Sequence, residues 1–161
     1  MSGYTFALAK EEEIPEIVGI YHSLIGTPEC TWDLEYPSRE SAQCDLQRKS
    51  LYVLKKDGQI VAVASAGTFG ELGHLPWTPK NPCELARIGV APTWQKQGIG
   101  TMILQQIMRI AREKGFDGIR MLVSKTNFAA LALYEKNGFT KRGETFMFDH
   151  DFFCYEITFE R

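Results

Sequence analysis

The sequence predicts one α/β domain, and three observations support this. Strand-like and helix-like segments alternate along the chain, and one β-hairpin is marked by a tight-turn signal at Asp57 and Gly58. The length of 161 residues is close to that of a single domain. Hydrophobic residues make up 44% of the chain, enough for a sizeable core. We therefore expect residues 1–161 to form a single domain.

The first half of the chain is expected to hold three strands and two helices. Alternation over 4–10 predicts the first strand, and apolar residues at helical spacing over 14–25 predict a helix with one buried face. A second helix over 38–49 begins at Ser38, a favourable capping residue. The two β-rich runs of the hairpin follow, and a loop rich in glycine and proline comes after them.

The second half alternates between strand and helix more regularly. Its expected elements are a strand over 84–90, a helix over 98–115, a strand over 118–124 and a helix over 127–138. Asn127 is the expected cap of the last helix, and Gly138 is its expected end. The tail predicts two strands joined near Asp149 to Asp151.

Charge and hydropathy exclude several kinds of partner. The 18 basic and 20 acidic residues nearly cancel, so we expect no broad cationic surface for nucleic acid or for an anionic membrane. No apolar run approaches the roughly 18 residues that a membrane span requires. The N-terminal segment lacks the basic and apolar regions of a secretion signal, which predicts a cytoplasmic protein. The four cysteines have no metal-binding spacing, and we expect no metal.

The junction between the strand 84–90 and the next helix predicts an anion site. A helix start leaves about four backbone N–H groups unpaired and carries about half a positive charge. Gly98 and Gly100 would let an anion approach that backbone closely. No lysine follows Gly100, which excludes a P-loop, and Ile103 stands where a dinucleotide fingerprint requires its third glycine.

The remaining pattern, Q-x-x-G-x-G, is spelled by Gln95, Gly98 and Gly100. Together with "ELARIGV" before it and "NFAALALYEKNGF" after it, this pattern resembles that of the GCN5-related N-acetyltransferases (GNAT) over about residues 84–140. The resemblance implies a mixed central sheet of about seven strands, splayed between strands 4 and 5 and flanked by about four helices. It also implies acetyl-CoA as co-substrate and no metal.

The resemblance implies a set of cofactor-binding residues. In this family, backbone groups of the bulged strand hold the pantetheine arm, and loop amides hold the CoA pyrophosphate. Carried over, the strand contributes Ile88, Gly89 and Val90, with Gly89 as the expected bulge position. The loop contributes Gln95, Lys96, Gln97, Gly98, Ile99, Gly100 and Thr101. Lys96 departs from the small residue of many relatives, and its charge either favours phosphate or is simply solvated.

Three side chains carry the predicted chemistry and the remaining cofactor contact. Asn127 and Tyr134 are seven residues apart and share one helix face. The resemblance implies that Tyr134 is the general acid for the leaving thiolate and that Asn127 contacts the pantetheine or adenosine side of CoA. Tyr134 alone would also fit a packing role. Glu84 matches a general-base position of some relatives, and its alternatives are an exposed strand-end charge or a pair with Arg87, with water as the base.

The resemblance implies an N-acetyltransferase that transfers the acetyl group of acetyl-CoA directly to a primary amine, of a small molecule in the first instance. One alternative is acetylation of a protein lysine or N-terminus. Another is a non-catalytic acyl-CoA-binding regulatory module. The presence of Tyr134 favours the catalytic interpretation.

Two aromatic segments are candidates for the acceptor side. The loop 26–40 would attract a cationic amine, although a solvated loop would look the same. Its candidate residues are Glu29, Trp32, Asp33, Glu35 and Tyr36. The tail would close the pocket, form a homodimer contact or, most simply, pack in the core. Its aromatic residues are Phe146, Phe148, Phe152 and Phe153.

Overall fold

Seven strands and four α-helices make up the fold. A computed structural model describes residues 3–27 and 30–160. The strands are β1 (Tyr4–Leu8), β2 (Leu51–Lys56), β3 (Gln59–Gly67), β4 (Pro82–Val90), β5 (Gly118–Ser124), β6 (Thr140–Met147) and β7 (His150–Thr158). The helices are α1 (Ile14–Leu24), α2 (Arg39–Gln47), α3 (Ile99–Glu113) and α4 (Phe128–Lys136). All strands join one mixed sheet in the order β1-β2-β3-β4-β5-β7-β6, which confirms the predicted architecture.

Local capping and turn signals place several of the element ends. The Ser38 side chain accepts a hydrogen bond from the Ser41 amide at the start of α2, and Asn127 does the same for Ala130 at the start of α4. The β6–β7 turn lies at Phe148 and Asp149, earlier than predicted. Asp149 lies within the predicted junction, but His150 and Asp151 already belong to β7, because they pair with Met147 and Phe146 in the ladder.

The helices form two layers, one on each face of the sheet. Helices α1 and α2 cover one face, where Ile17, Tyr21 and Val53 belong to one buried cluster. Helix α3 covers the other face, where Ile103 and Met121 belong to a larger cluster. None of the described helices is both long and apolar enough to cross a lipid bilayer.

Strands β4 and β5 separate along their length. They run parallel, and among the described residues they pair only at Pro82, Cys83 and Glu84 of β4. Strand β5 continues to pair with β7 as far as Ser124, while β4 continues to pair with β3 as far as Val90. A gap therefore opens between β4 and β5 toward the start of α3. The predicted splay between strands 4 and 5 is confirmed.

The aromatic tail only partly packs in the core. Phe153 packs against the α3-side cluster, as the simplest interpretation predicted. Phe146 and Phe148 are 66% and 62% exposed, so core packing is wrong for these two residues. They lie on or next to β6, the edge strand of the sheet.

The closed end of the gap depends on a close approach at Gly118. This residue pairs with Pro82 on one side and Thr158 on the other. A Cβ here would lie 2.9 Å from the Pro79 side chain and closer still to the Ile157 carbonyl oxygen. We expect Gly118→Ala to lower the free energy of unfolding by about 1–3 kcal/mol, because a backbone atom cannot yield easily. Urea unfolding followed by circular dichroism measures this.

Gly143→Ala is the matched control. Gly143 also lies in a strand, but a Cβ there would meet no atom within 4 Å. We expect this variant to stay within about 0.5 kcal/mol of the parent protein. Equal losses in the two variants would contradict the assigned clash.

Candidate active site

Strand β4 is bulged beside the gap. Between the pairs Ala86–Ser65 and Gly89–Val63, two residues of β4 lie opposite one residue of β3. Arg87 is the first of these two, and its φ of 50° lies in the left-handed region. A bulge bends its strand and increases the local twist. It therefore helps β4 to turn away from β5.

The sequence-based placement of the bulge at Gly89 is wrong. Gly89 has no positive φ and lies beyond the bulge, in regular pairing with Val63. Its missing side chain serves packing instead, since a Cβ there would lie 2.8 Å from Leu24 Cδ1 and 3.4 Å from the Trp32 ring. The pattern correctly suggested an unusual backbone in this strand, but the residue that adopts it is an arginine.

A buried ion pair holds the bulge in place. Arg87 donates from Nε and Nη2 to the two carboxylate oxygens of Asp45, at 2.8 and 2.9 Å. Its Nη1 donates to the Tyr36 hydroxyl at 2.9 Å, and the Ser65 hydroxyl donates to Asp45 at 2.6 Å. Burial opposes the charge of Arg87, but the hydrogen bonds and charge interactions with Asp45 and Tyr36 together outweigh it and raise the arginine pKa. Helix α2 and strands β3 and β4 are thus tied together at the bulge.

Sequence reasoning missed this network. Asp45 is only 2% exposed, and the one available signal was an acidic residue close to the apolar face of the α2 helix. The suggested Glu84–Arg87 pair is wrong, because Asp45 and Tyr36 occupy the guanidinium group.

The turn from β4 to α3 presents a run of unpaired main-chain donors. Among the described residues, no acceptor is recorded for the N–H groups of residues 96–101. Met102 is the next donor, and its N–H bonds the Gly98 carbonyl at 3.1 Å. Gly98 adopts a φ of 80° and Lys96 a φ of 63°, so both lie in the left-handed region. This geometry suits an anion.

The predicted loop residues surround this run of donors. Gln95 donates from its side chain to the Val90 carbonyl at 3.2 Å, and Gln97 donates to the Thr93 carbonyl at 3.3 Å. These side chains brace the turn. Among the other members of the predicted loop set, Lys96 is exposed and Thr101 is half-buried. Ile99, the first residue of α3, is buried. A Cβ added at Gly100 would lie 3.3 Å from Leu133.

Tyr134 lies on the α3 side of the gap. It shares the α3-side cluster with Ile88, Val90 and Ile99, and it is 3% exposed. Burial raises the pKa of its phenol, and no hydrogen bond from its hydroxyl to another described residue is recorded. The phenol therefore stays protonated at neutral pH. Asn127, the other predicted residue of this helix, accepts from the Ala130 amide at 3.1 Å and so caps α4.

Glu84 lies on the opposite side, at the closed end of the gap. Its neighbours Cys83 and Leu85 belong to the α3-side cluster, so the alternation of the strand turns Glu84 toward the other face. Its carboxylate accepts from Arg120 Nε at 3.3 Å, and it is 5% exposed. Burial raises the pKa of Glu84, and Arg120 offsets part of that rise. The expectation of an exposed strand-end charge is wrong.

The loop 26–40, the candidate acceptor side, makes structural contacts within the protein. The Asp33 carboxylate accepts from the amides of Glu35 and Tyr36, which closes a turn. The Trp32 ring meets Tyr21 edge-on at 5.6 Å. Glu29 lies outside the described residues. Amine binding by this loop stays a prediction.

The motifs and the fold agree with those of known proteins. Residues 17–139 match the family described as "Acetyltransferase (GNAT) family". The chain belongs to this family. The predicted family is therefore confirmed, and the match extends well before the segment 84–140 on which the resemblance was noticed.

Two relatives and one solved structure are similar to this GNAT chain. Mouse N-acetyltransferase family 8 member 3 is 30% identical over 95 residues, 59% of this chain. The match spans only 40% of the mouse protein. YwnH of Bacillus subtilis (strain 168), named as a candidate phosphinothricin acetyltransferase, is 27% identical over 144 residues, 86% of this chain and 85% of its own. A candidate acetyltransferase from Salmonella typhimurium, solved with acetyl-CoA, superimposes with a TM-score of 0.78 at 19% identity, covering 99% and 96% of the two chains. The last match shows a shared fold.

The variant Asp45→Asn tests whether the buried Asp45–Arg87 pair stabilises the fold. We expect Asp45→Asn to lower the free energy of unfolding by about 3–5 kcal/mol, because Arg87 would be left as an uncompensated buried charge. Denaturant unfolding at neutral pH measures the loss.

Glu113→Gln serves as the comparison. It breaks the Arg109–Glu113 pair on the exposed face of α3, where both side chains are at least half exposed. We expect a loss below about 1 kcal/mol there. A similarly small loss for Asp45→Asn would show that the bulge does not depend on the pair.

Proposed function

We propose that this GNAT protein transfers the acetyl group of acetyl-CoA directly to a primary amine, of a small molecule in the first instance. The observation that carries the proposal is the run of unpaired N–H groups at residues 96–101, placed where the gap between β4 and β5 opens. A diphosphate needs such donors, and an extended thiol-bearing arm needs such a gap. The structural relative from Salmonella typhimurium was solved with acetyl-CoA, which carries both groups.

In this proposal the pyrophosphate rests on the amides of residues 96–101, and Lys96 adds a positive charge. The pantetheine arm runs along Ile88 to Val90, on the edge of β4 that lacks a strand partner. An extended chain binds such an edge through main-chain hydrogen bonds. From Val90 to Glu84 the strand covers roughly 20 Å, so an arm that runs along it from Val90 would bring the thioester into the stretch between Ile88 and Glu84.

The chemistry requires a base and an acid on either side of the thioester. A neutral amine attacks the carbonyl carbon, the new C–N bond forms, and the C–S bond breaks. Glu84 accepts the proton that the amine loses, Tyr134 gives its phenol proton to the leaving thiolate, and a strand amide near Ile88 stabilises the oxyanion. Burial raises the pKa of a thiol as it raises that of a phenol, so a thiolate released inside the gap is a stronger base than a thiolate in water.

Calorimetric titration with acetyl-CoA, followed by thiol release with a panel of amines, tests the assignment. The panel holds small primary amines and peptides that present a lysine or a free N-terminus. A blank without acetyl-CoA corrects for Cys44, an exposed thiol of the protein itself. We expect binding, and release with a small amine. Release only with peptides would move the acceptor to proteins, binding without any release would indicate a regulatory module, and no binding would overturn the proposal.

Tyr134→Phe tests the acid. We expect kcat to fall by about 10²-fold or more, because the leaving thiolate loses its proton donor. The KM for acetyl-CoA should change little, since the ring still packs. Steady-state kinetics separate the two constants.

Tyr155→Phe is the control for that change. It removes a hydroxyl from another buried tyrosine of the same cluster, one that donates to Glu135 at 2.8 Å. Its kcat should stay within about twofold of the parent value. A parent-like kcat for Tyr134→Phe would exclude the acid role.

Glu84→Gln tests the base. The parent rate should rise with pH as the carboxylate loses its proton, at a pKa that burial raises above the ordinary range. In the variant, this rise of the rate should move to more alkaline pH, because the amine must then lose its proton unaided.

Glu71→Gln provides a nearby carboxylate for comparison, since Glu71 is exposed and acts on Glu84 only through its charge. Its pH profile should keep the same rise, displaced at most slightly toward acidic pH, because the charge of Glu71 contributes to the raised pKa of Glu84. A profile of Glu84→Gln that superimposes on the parent profile would assign the base role to water or to another residue.

A further inference from the structure

A cavity lies at the far end of α3 from the loop 95–101. It has a volume of about 610 Å³ and is bounded by the second half of α3, the segment 48–52, the end of β3 with the residues after it, and Cys83 at the start of β4. Gly98 and Lys114, at opposite ends of α3, are separated by ~24 Å along the helix axis. The cavity is therefore distinct from the candidate pyrophosphate site.

Three cations line this cavity without a matching acid. Arg48, Lys49 and Lys114 are part of its wall, and its lining contains no Asp, Glu or His. None of the three makes an ion pair with a described residue. The whole chain carries a formal charge of −2, so this concentration of positive charge is local. A cleft with one sign of charge attracts counter-ions.

Aromatic groups position two of these cations. The Arg48 guanidinium lies 5.9 Å from the centre of the Phe69 ring. Lys114 Nζ donates to the Tyr52 hydroxyl at 3.0 Å and lies 5.7 Å from the centre of that ring. Rings hold a cation in place without cancelling its charge. The charges therefore stay available to a ligand.

Apolar side chains form much of the rest of the wall, and Ser50 and Thr68 add hydroxyl groups to it. Ala66, Ile107 and Ala111 are buried, and Ile110 and Phe116 are half-buried. The C-terminal end of α3 carries about half a negative charge, which three full positive charges exceed. Ligand cavities of about 300–1,000 Å³ typically combine apolar walls with a few polar groups.

We propose that this cavity binds a small organic anion that joins a carboxylate or phosphate group to an apolar body, independently of CoA. The apolar body lies against α3 and β3, and the anionic group meets Arg48, Lys49 and Lys114 at the mouth. Binding at this site requires no acetyl transfer, so it can be tested independently of the proposed enzymatic function.

Methyl-detected NMR of the full chain tests the proposal, with phenylacetate and phenyl phosphate as probes and neutral phenylacetamide for comparison. We expect saturable shifts of the Ala66, Ile107 and Ala111 methyl groups. An anion should bind at least tenfold more tightly than phenylacetamide, and the affinity should be unchanged in excess CoA. The probe that binds more tightly identifies the preferred anionic group as a carboxylate or a phosphate.

Variants that remove one charge locate the anion. Lys114→Met and Arg48→Met should each weaken binding at least fivefold, and the second variant covers the case in which loss of the Tyr52 contact unfolds the first. Arg109→Met is the matched control, because Arg109 lies on the same helix, is exposed and is absent from the lining. Its affinity should equal that of the parent.

Four results would overturn the proposal. They are the absence of saturable shifts, equal affinity for phenylacetamide, displacement of the probe by CoA, and equal affinity in all three variants.

Discussion

The buried Asp45–Arg87 pair is the interaction on which the candidate site depends. It holds an arginine in the left-handed region, a conformation that costs on the order of 1–3 kcal/mol when the surroundings enforce it. Two short hydrogen bonds to one carboxylate, a third to Tyr36 and the Ser65 hydroxyl supply that enforcement. The resulting bulge lies in the part of β4 that no longer pairs with β5, so this pair fixes the backbone of the strand edge that borders the gap.

The gap also separates the two groups with proposed proton-transfer roles. Burial raises the pKa of both, but their surroundings differ. Tyr134 lies among apolar side chains and keeps its proton, whereas Glu84 has the Arg120 guanidinium beside it, which favours the charged carboxylate. Two titratable groups placed in contrasting environments are a common basis for assigning an acid and a base.

Helix α3 joins the two proposed anion sites, which would hold their ligands in different ways. At its first turn, the free N–H groups and the helix dipole act together, so no side-chain charge is required. At its last turn the dipole opposes an anion. Any anion there must be held by side chains, and Arg48, Lys49 and Lys114 are grouped at that end. The contrast explains why a glycine motif predicts the first proposed site and no motif predicts the second.

The sequence by itself determined the features that depend on neighbouring residues: the caps at Ser38 and Asn127, the turn at Asp57 and Gly58, and the glycine-rich start of α3. Tertiary structure alone decided the bulge at Arg87, the Arg120 partner of Glu84 and the cavity beside α3. The physical reason is the separation along the chain of the residues that interact. A cap or a tight turn is set by hydrogen bonds within a few residues, whereas Asp45 and Arg87, or Glu84 and Arg120, meet only after the sheet has brought distant segments together.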